Sequence, residues 1–264
     1  MLLTIDIGNT NIHLGIFLKN TLIYESRFVT DDKWDYLFFK IEIEKFLDNN
    51  NLSKKDISGI IIASVVPNID NKILKACSKI NKKTTLLKNK ELEKIIKIDL
   101  KNKEEVGVDR LVNAIYANDK YGPNLIIIDF GTATNFDIVG NNLEYLGGII
   151  APGINLSLKA LSDFAAKLPS ITPSKQKNVI GKTTKEAMNS GIYFGYISLI
   201  NGLNKRIMDE HGEEMKIIAT GGLAEIFADE ISGLKKIEKN LTLEGLNLVY
   251  QNLDNSKLIN YDAK

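Results

Sequence analysis

The chain has 264 residues, 44% hydrophobic and 25% charged, which is enough to bury a core in each of two ordinary domains. With 34 basic and 33 acidic residues the net charge is +1, so no global field draws nucleic acid or an anionic membrane, and no apolar run reaches the roughly 20 residues of a membrane helix. Cys77 is the only cysteine, which excludes an intrachain disulfide and fits a reducing, cytoplasmic location; with His13 and His211 the only histidines, neither a zinc site nor a Ser-His-Asp triad is expected.

The first apolar run, from Leu2, ends in Asp6-Ile7-Gly8 and is followed by Asn9-Thr10-Asn11. Gly bounds it as a buried strand. It meets Asp6 after five residues without a basic stretch, unlike a signal peptide. Second and third strands are predicted over Ile12–Leu18 and Leu22–Val29. Thr30-Asp31-Asp32 predicts a helix start, with the helix running to about Leu47. Gly59–Val66 reads as a strand, Ile69–Ile80 as a helix, Thr84–Leu87 as a short strand and Lys90–Ile96 as a short helix. The Lys-rich stretch Lys79–Lys94 mixes charges with apolar residues and reads as solvated faces. Residues 97–104 are a predicted loop. Leu111, Ala114 and Ile115 then keep helical spacing, which puts Gly107-Val108-Asp109-Arg110 at a helix N-terminus. There Asp109 has an ordinary explanation, favourable contact with the helix dipole.

Pro123 marks the junction between a domain at residues 1–118 and a second at 119–264. The second opens like the first: an apolar run from Leu125 ends in Asp129-Phe130-Gly131, followed by Thr132-Ala133-Thr134. Strands over Asn135–Val139 and Leu143–Ile150 follow, then a helix over Ile154–Phe164 and a proline-bearing loop, Leu168–Ser174. A long helix opens near Ile180–Thr184 and runs to about Met208; Gly191, Gly195 and Gly202 on it predict close helix packing. A strand over Met215–Thr220 ends in Gly221-Gly222, where paired glycines let a ring or ribose lie against the backbone. Helices over Leu223–Asp229 and Thr242–Leu253 close the chain. Gly181-Lys182-Thr183 matches only the tail of a P-loop, since Gln176 stands where the opening Gly belongs.

A single Asp-x-Gly is better explained by a hairpin turn. Two copies almost half a chain apart, each after a buried strand, favour a shared purpose. Gly8 and Gly131 allow tight turns, and the neighbouring Thr and Asn residues with exposed N–H groups make an anion-binding nest without a Lys. Asp6 and Asp129 can each hold a cation or its water shell. The arrangement resembles the actin, sugar-kinase and heat-shock ATPase superfamily. That resemblance implies an α/β chain of two ribonuclease-H-like (actin-like ATPase) domains with an active-site cleft between them.

Six motifs in order make the resemblance specific: Asp6-Ile7-Gly8-Asn9-Thr10, Gly107-Val108-Asp109-Arg110, Asp129-Phe130-Gly131-Thr132-Ala133-Thr134, Gly147-Gly148-Ile149-Ile150-Ala151-Pro152-Gly153, Gly181-Lys182-Thr183-Thr184 and Thr220-Gly221-Gly222. Together they resemble the type III pantothenate kinases over almost the whole chain. The resemblance implies ATP-dependent phosphorylation of pantothenate, the first committed step toward coenzyme A. It implies ATP phosphates over Asp6, Ile7, Gly8, Asn9, Thr10, Asn11, Ile12 and His13, and at Thr132. Leu100, Gly107, Val108, Asp109, Arg110 and Thr184 would contact pantothenate, with Asp109 as general base and Arg110 on the substrate carboxylate. Mg2+ would accompany ATP, Asp129 would bind K+ or NH4+, and the chain would form a homodimer. Two positions depart from the family pattern: Val108 replaces the usual Ala, and Leu100 the usual Tyr, keeping an apolar wall without the phenol. The alternatives are a non-catalytic ATP- or ligand-binding regulator of the same fold, and another kinase or phosphatase of the superfamily.

Overall fold

The structure, a computed structural model, describes residues 1–165 and 167–259, the last six of these by backbone alone. It divides into two compact units: Met1–Asp119 with the segment from Asn240 onward, and Lys120–Lys239. In the first, β1 (Leu2–Ile7), β2 (Asn11–Leu18), β3 (Thr21–Val29), β4 (Gly59–Ser64) and β5 (Thr84–Leu86) form a sheet in the order β3-β2-β1-β4-β5. β1 is antiparallel to β2 and parallel to β4. Because side chains alternate along a strand, Leu3, Ile5 and Ile7 enter one core with Ile12, Leu14, Ile16, Ile60 and Ile62. Phe39 and Ile43 of α1 (Tyr36–Asn49) and Ile69 and Ile73 of α2 (Pro67–Ser78) close that core. Each fully buried Ile or Phe there contributes about 1.5–3 kcal/mol.

Leu2, Thr4 and Asp6 point to the opposite face. This face is covered by α8 (Leu241–Ile259), which packs on β1, β2 and β4. A Cβ on Gly15 would lie 2.9 Å from Leu243 Cδ1, one on Gly59 would overlap Tyr250, and Gln251 bonds Asn20 at 2.8 Å. Residues 240–259 therefore belong with the first unit rather than with 119–264. The sequence division assumed each unit to be one continuous stretch, and the apolar stripe of a helix does not say which sheet it covers.

Between β5 and the second unit come α3 (Asn89–Leu92), the two-residue strand β6 (Lys97–Ile98) and α4 (Val108–Tyr121). The second unit repeats the first. β7 (Leu125–Phe130), β8 (Ala133–Val139), β9 (Glu144–Pro152), β10 (Lys216–Thr220) and β11 (Leu234–Ile237) run in the order β9-β8-β7-β10-β11. Again the central strand is antiparallel to the next and parallel to the fourth. Ile126, Ile128 and Phe130 pack with α5 (Ile154–Phe164), α6 (Thr184–His211) and Phe227 of the short α7 (Ala224–Phe227). β1 and β7 share one burial pattern: four buried residues, a half-buried Asp, and a buried residue. This is the ribonuclease-H-like arrangement twice over.

The glycines of α6 do not serve close packing as predicted. A Cβ at Gly191, Gly195 or Gly202 meets nothing within 4 Å. The core face of that helix is instead built from Ile192, Tyr193, Tyr196 and Ile200. No helix among the described residues is long and apolar enough to cross a membrane.

Candidate active site

In the first unit, Asp6 sits at the C-terminal end of β1, opposite His13 on β2 and Ala63 on β4. The turn from Gly8 to Asn11 closes with the Gly8 N–H donating to the Asn11 carbonyl at 3.0 Å. Asn9, Thr10 and Asn11 are exposed, whereas Ile7 and Ile12 are buried in the core and have only backbone to offer a ligand. His13 is buried as well, its Nε2 2.9 Å from Glu25 Oε2. Burial, then the Arg27 guanidinium, pushes the imidazole down to about 4 against the pull of Glu25, so it is neutral at neutral pH.

Asp109 lies in the first turn of α4, where the Gly107 carbonyl accepts from the Arg110 N–H at 3.1 Å. The Asp109 carboxylate folds back and accepts from the Arg110 N–H at 2.8 Å. Desolvation raises its pKa above the ordinary carboxylate range, against the lowering by Arg110's backbone and charge. A Cβ on Gly107 would overlap Asp109 Oδ1 and lie 3.3 Å from Val65 Cγ1, so a larger residue here would displace that carboxylate. The Val65 N–H in turn donates to the Ile7 carbonyl at 3.0 Å. Through Val65, then, the start of α4 is brought beside the end of β1, where Asp6 and its turn stand. Val108 is buried, Arg110 is half-buried, and Leu100 is half-buried after β6.

In the second unit, Asp129 pairs in register with Asn135 on β8 and Thr220 on β10. Gly221, at φ +91°, seats its backbone on this spot: a Cβ there would lie 2.6 Å from both Phe130 N and O and 2.7 Å from Asp129 Oδ1. It is packed against its own chain, and of the glycine pair only Gly222, with nothing within 4 Å, offers open backbone. Thr132 is exposed at the turn, with the Gly131 N–H donating to the Ala133 carbonyl at 3.1 Å. Gly153 lies so close beneath it that a Cβ would overlap the Thr132 carbonyl.

Thr184 opens α6 with its side chain exposed, and no hydrogen bond joins it to the Asp129 turn among the described residues. The half P-loop is a capping box. Glu186 accepts from the N–H groups of Lys182 at 2.7 Å and Thr183 at 3.1 Å, while the Thr183 hydroxyl accepts from the Glu186 N–H at 3.2 Å. Those donors are already used. No group of three or more His, Cys, Asp or Glu that could hold a metal occurs among the described residues.

Each unit by itself has a half-buried Asp at the end of its central strand with hydroxyl- and amide-bearing residues in the turn beside it, and the first unit adds Asp109 at a helix start; these are residue types that phosphoryl transfer uses. A family model described as type III pantothenate kinase matches residues 2–206. The chain belongs to the type III pantothenate kinase family. A type III pantothenate kinase of Paramagnetospirillum magneticum is 44% identical over 247 residues, 93% of this chain and 95% of its relative. Another, from Brevibacillus brevis, is 40% identical over 251 residues, 95% of this chain and 98% of the relative. Among solved structures, a Campylobacter jejuni chain described as a Baf family transcriptional activator superposes with a TM-score of 0.61 at 20% identity, covering 96% of this chain and 99% of that one. A ROK family glucokinase from Streptomyces griseus in complex with glucose and AMPPNP gives 0.51 at 12% identity, covering 94% and 99%. At such identities the likeness speaks for the fold of this pantothenate kinase family member, not its substrate.

Proposed function

We propose that the protein transfers the γ-phosphoryl group of ATP to the primary hydroxyl of pantothenate, giving 4'-phosphopantothenate at the first step of coenzyme A synthesis. The observation that carries this reading, within a family of that activity, is Asp109: a desolvated carboxylate held at the start of α4, beside the Asp6 turn. A base whose pKa is lifted toward the working pH accepts a proton more effectively. Asp109 takes the hydroxyl proton as the oxygen attacks the γ-phosphorus. The new O–P bond forms as the bond to the β-phosphate oxygen breaks, and ADP leaves. Arg110 offers a forked pair of donors to the pantothenate carboxylate and fixes the hydroxyl's approach. Leu100, Gly107, Val108 and Thr184 complete our substrate assignment, and the stretch Asp6–His13 with Thr132 takes the phosphates.

Mg2+ keeps several waters and needs only one or two carboxylates plus phosphate oxygens, and Asp6 would supply such a carboxylate. When bound, it neutralises charge developing on the transferred group. Asp129, half-buried at the end of β7, is our candidate ligand for a monovalent cation, since a carboxylate oxygen is the kind of donor a hard cation takes. Potassium or ammonium there, a homodimeric assembly and a cytoplasmic location are parts of the same proposal.

The test is ADP release from MgATP with and without pantothenate, in potassium and then in sodium buffer. Release that requires both pantothenate and potassium is expected. Release without pantothenate would point to another superfamily substrate. Folded protein that releases no ADP in either buffer would overturn the kinase reading in favour of a regulator.

A further inference from the structure

The first turn is held from outside by a residue beyond the end of β3. The Thr30 hydroxyl donates to the Gly8 carbonyl at 2.7 Å, and the Thr30 N–H donates to the Thr10 carbonyl at 2.9 Å. A trans peptide points its C=O and the following N–H in opposite directions. Pulling the Gly8 and Thr10 carbonyls toward Thr30 therefore turns the N–H groups of Asn9 and Asn11 the other way, at residues that are exposed. The Gly8 N–H is already taken by the Asn11 carbonyl. With its carbonyls anchored on one side, the turn presents backbone donors on the other, as an anion-binding nest requires.

The second unit has a counterpart at the same place in the repeat. Val29 pairs with Asn11 and is followed by Thr30; Pro152 pairs with Ala133 and is followed by Gly153. Gly153 presses its backbone against the Thr132 carbonyl, as Thr30 bonds those of Gly8 and Thr10. In both units the residue just past the third strand buttresses the Asp-x-Gly turn, by hydrogen bond in one and by close contact in the other.

We propose that Thr30 is a positioning residue for triphosphate binding: it touches no ligand, but fixes the direction of the donors in the turn. The proposal rests on the assignment of that turn to ATP phosphates. Thr30→Val keeps the branched shape and the backbone N–H while removing the hydroxyl. It is expected to weaken MgATP affinity, measured by calorimetric titration, and to raise the KM for ATP about threefold to tenfold, the weight of one hydrogen bond. The KM for pantothenate and the melting temperature should stay at native values, and Thr30→Ser should restore ATP affinity. Native-like MgATP binding by the Val variant would overturn the proposal. So would a loss shared equally by pantothenate KM and melting temperature, because that marks general loosening. If the native protein itself does not bind MgATP, the ATP assignment fails first and this inference with it.

Discussion

At Asp109 the chain keeps a half-buried carboxylate whose pKa desolvation raises, and the sign of that arrangement can be followed with pH. A raised native pKa means that the folded protein binds a proton more readily than the unfolded chain. Stability contributed by the protonated form is therefore lost as pH rises from the ordinary carboxylate value through the raised one. Asp109→Asn should melt higher than the native protein at neutral pH, and the difference should vanish in acid. The same substitution should lower kcat by about 10²–10⁴-fold. Native kcat should rise with pH through the raised pKa, and a profile flat across that range would remove Asp109 from the role of base. Gly107→Ala offers a milder check. Its Cβ falls on the carboxylate, so kcat should drop while ATP affinity is retained. Gly221→Ala acts on the fold itself, since a positive φ and backbone atoms at 2.6 Å leave no room. We expect a cost of about 1–3 kcal/mol from backbone strain alone, read as a lower urea midpoint at unchanged slope.

Among elements, the legible ones were those whose own residues settle the matter. The runs at β1, β4 and β7 are almost wholly apolar because both faces of the strand are covered, and α5 falls at its predicted Ile154–Phe164. β11, Leu-Lys-Lys-Ile, has two lysines between its apolar ends and too little pattern to stand out. The helix expected to open at Trp34 behind a Thr30-Asp31-Asp32 start begins at Tyr36, because Asp35 caps it, accepting from the Phe38 N–H at 3.0 Å. Thr30 was illegible for a different reason. From the turn, where Leu18 faces Thr21, a straight count puts Val29 opposite Thr10. An irregularity between Ile16 and Phe17 moves the register by one, so Val29 faces Asn11 and Thr30 reaches Thr10. Of the proposed site residues, Asp6, Asp109 and Asp129 stand in motifs visible in the sequence, while the packing of Val65, Gly153 and Gly221 around them needed three-dimensional neighbours. The packing of α8 can be tested directly. Leu246 is fully buried, and Leu246→Ala should cost about 2–5 kcal/mol in urea denaturation.

On the scale of the whole molecule, one supersecondary plan is used twice with different outcomes. The first copy carries the Asp6 turn and Asp109; the second carries Asp129 and Thr132. The two units are also closed differently: the second from a continuous stretch, the first only when the segment from Asn240 returns to it. A chain ended at Lys239 should leave the Asp6 face of the first sheet bare. Its far-UV spectrum and protease resistance should show loss of the first unit while peptides of the second survive. Protection of both units in that truncated chain would show that α8 is dispensable.

The return of α8 also orders events at the ribosome. β1 emerges before the helix that shields its Asp6 face, with the whole second unit between them. The half of the protein made first must wait through synthesis of the entire second unit with one side of its sheet uncovered. A stop at Asn240 thus yields a chain that can finish only its second unit, and an earlier stop within Lys120–Lys239 one that can finish neither, so either product exposes to proteases what the full chain covers.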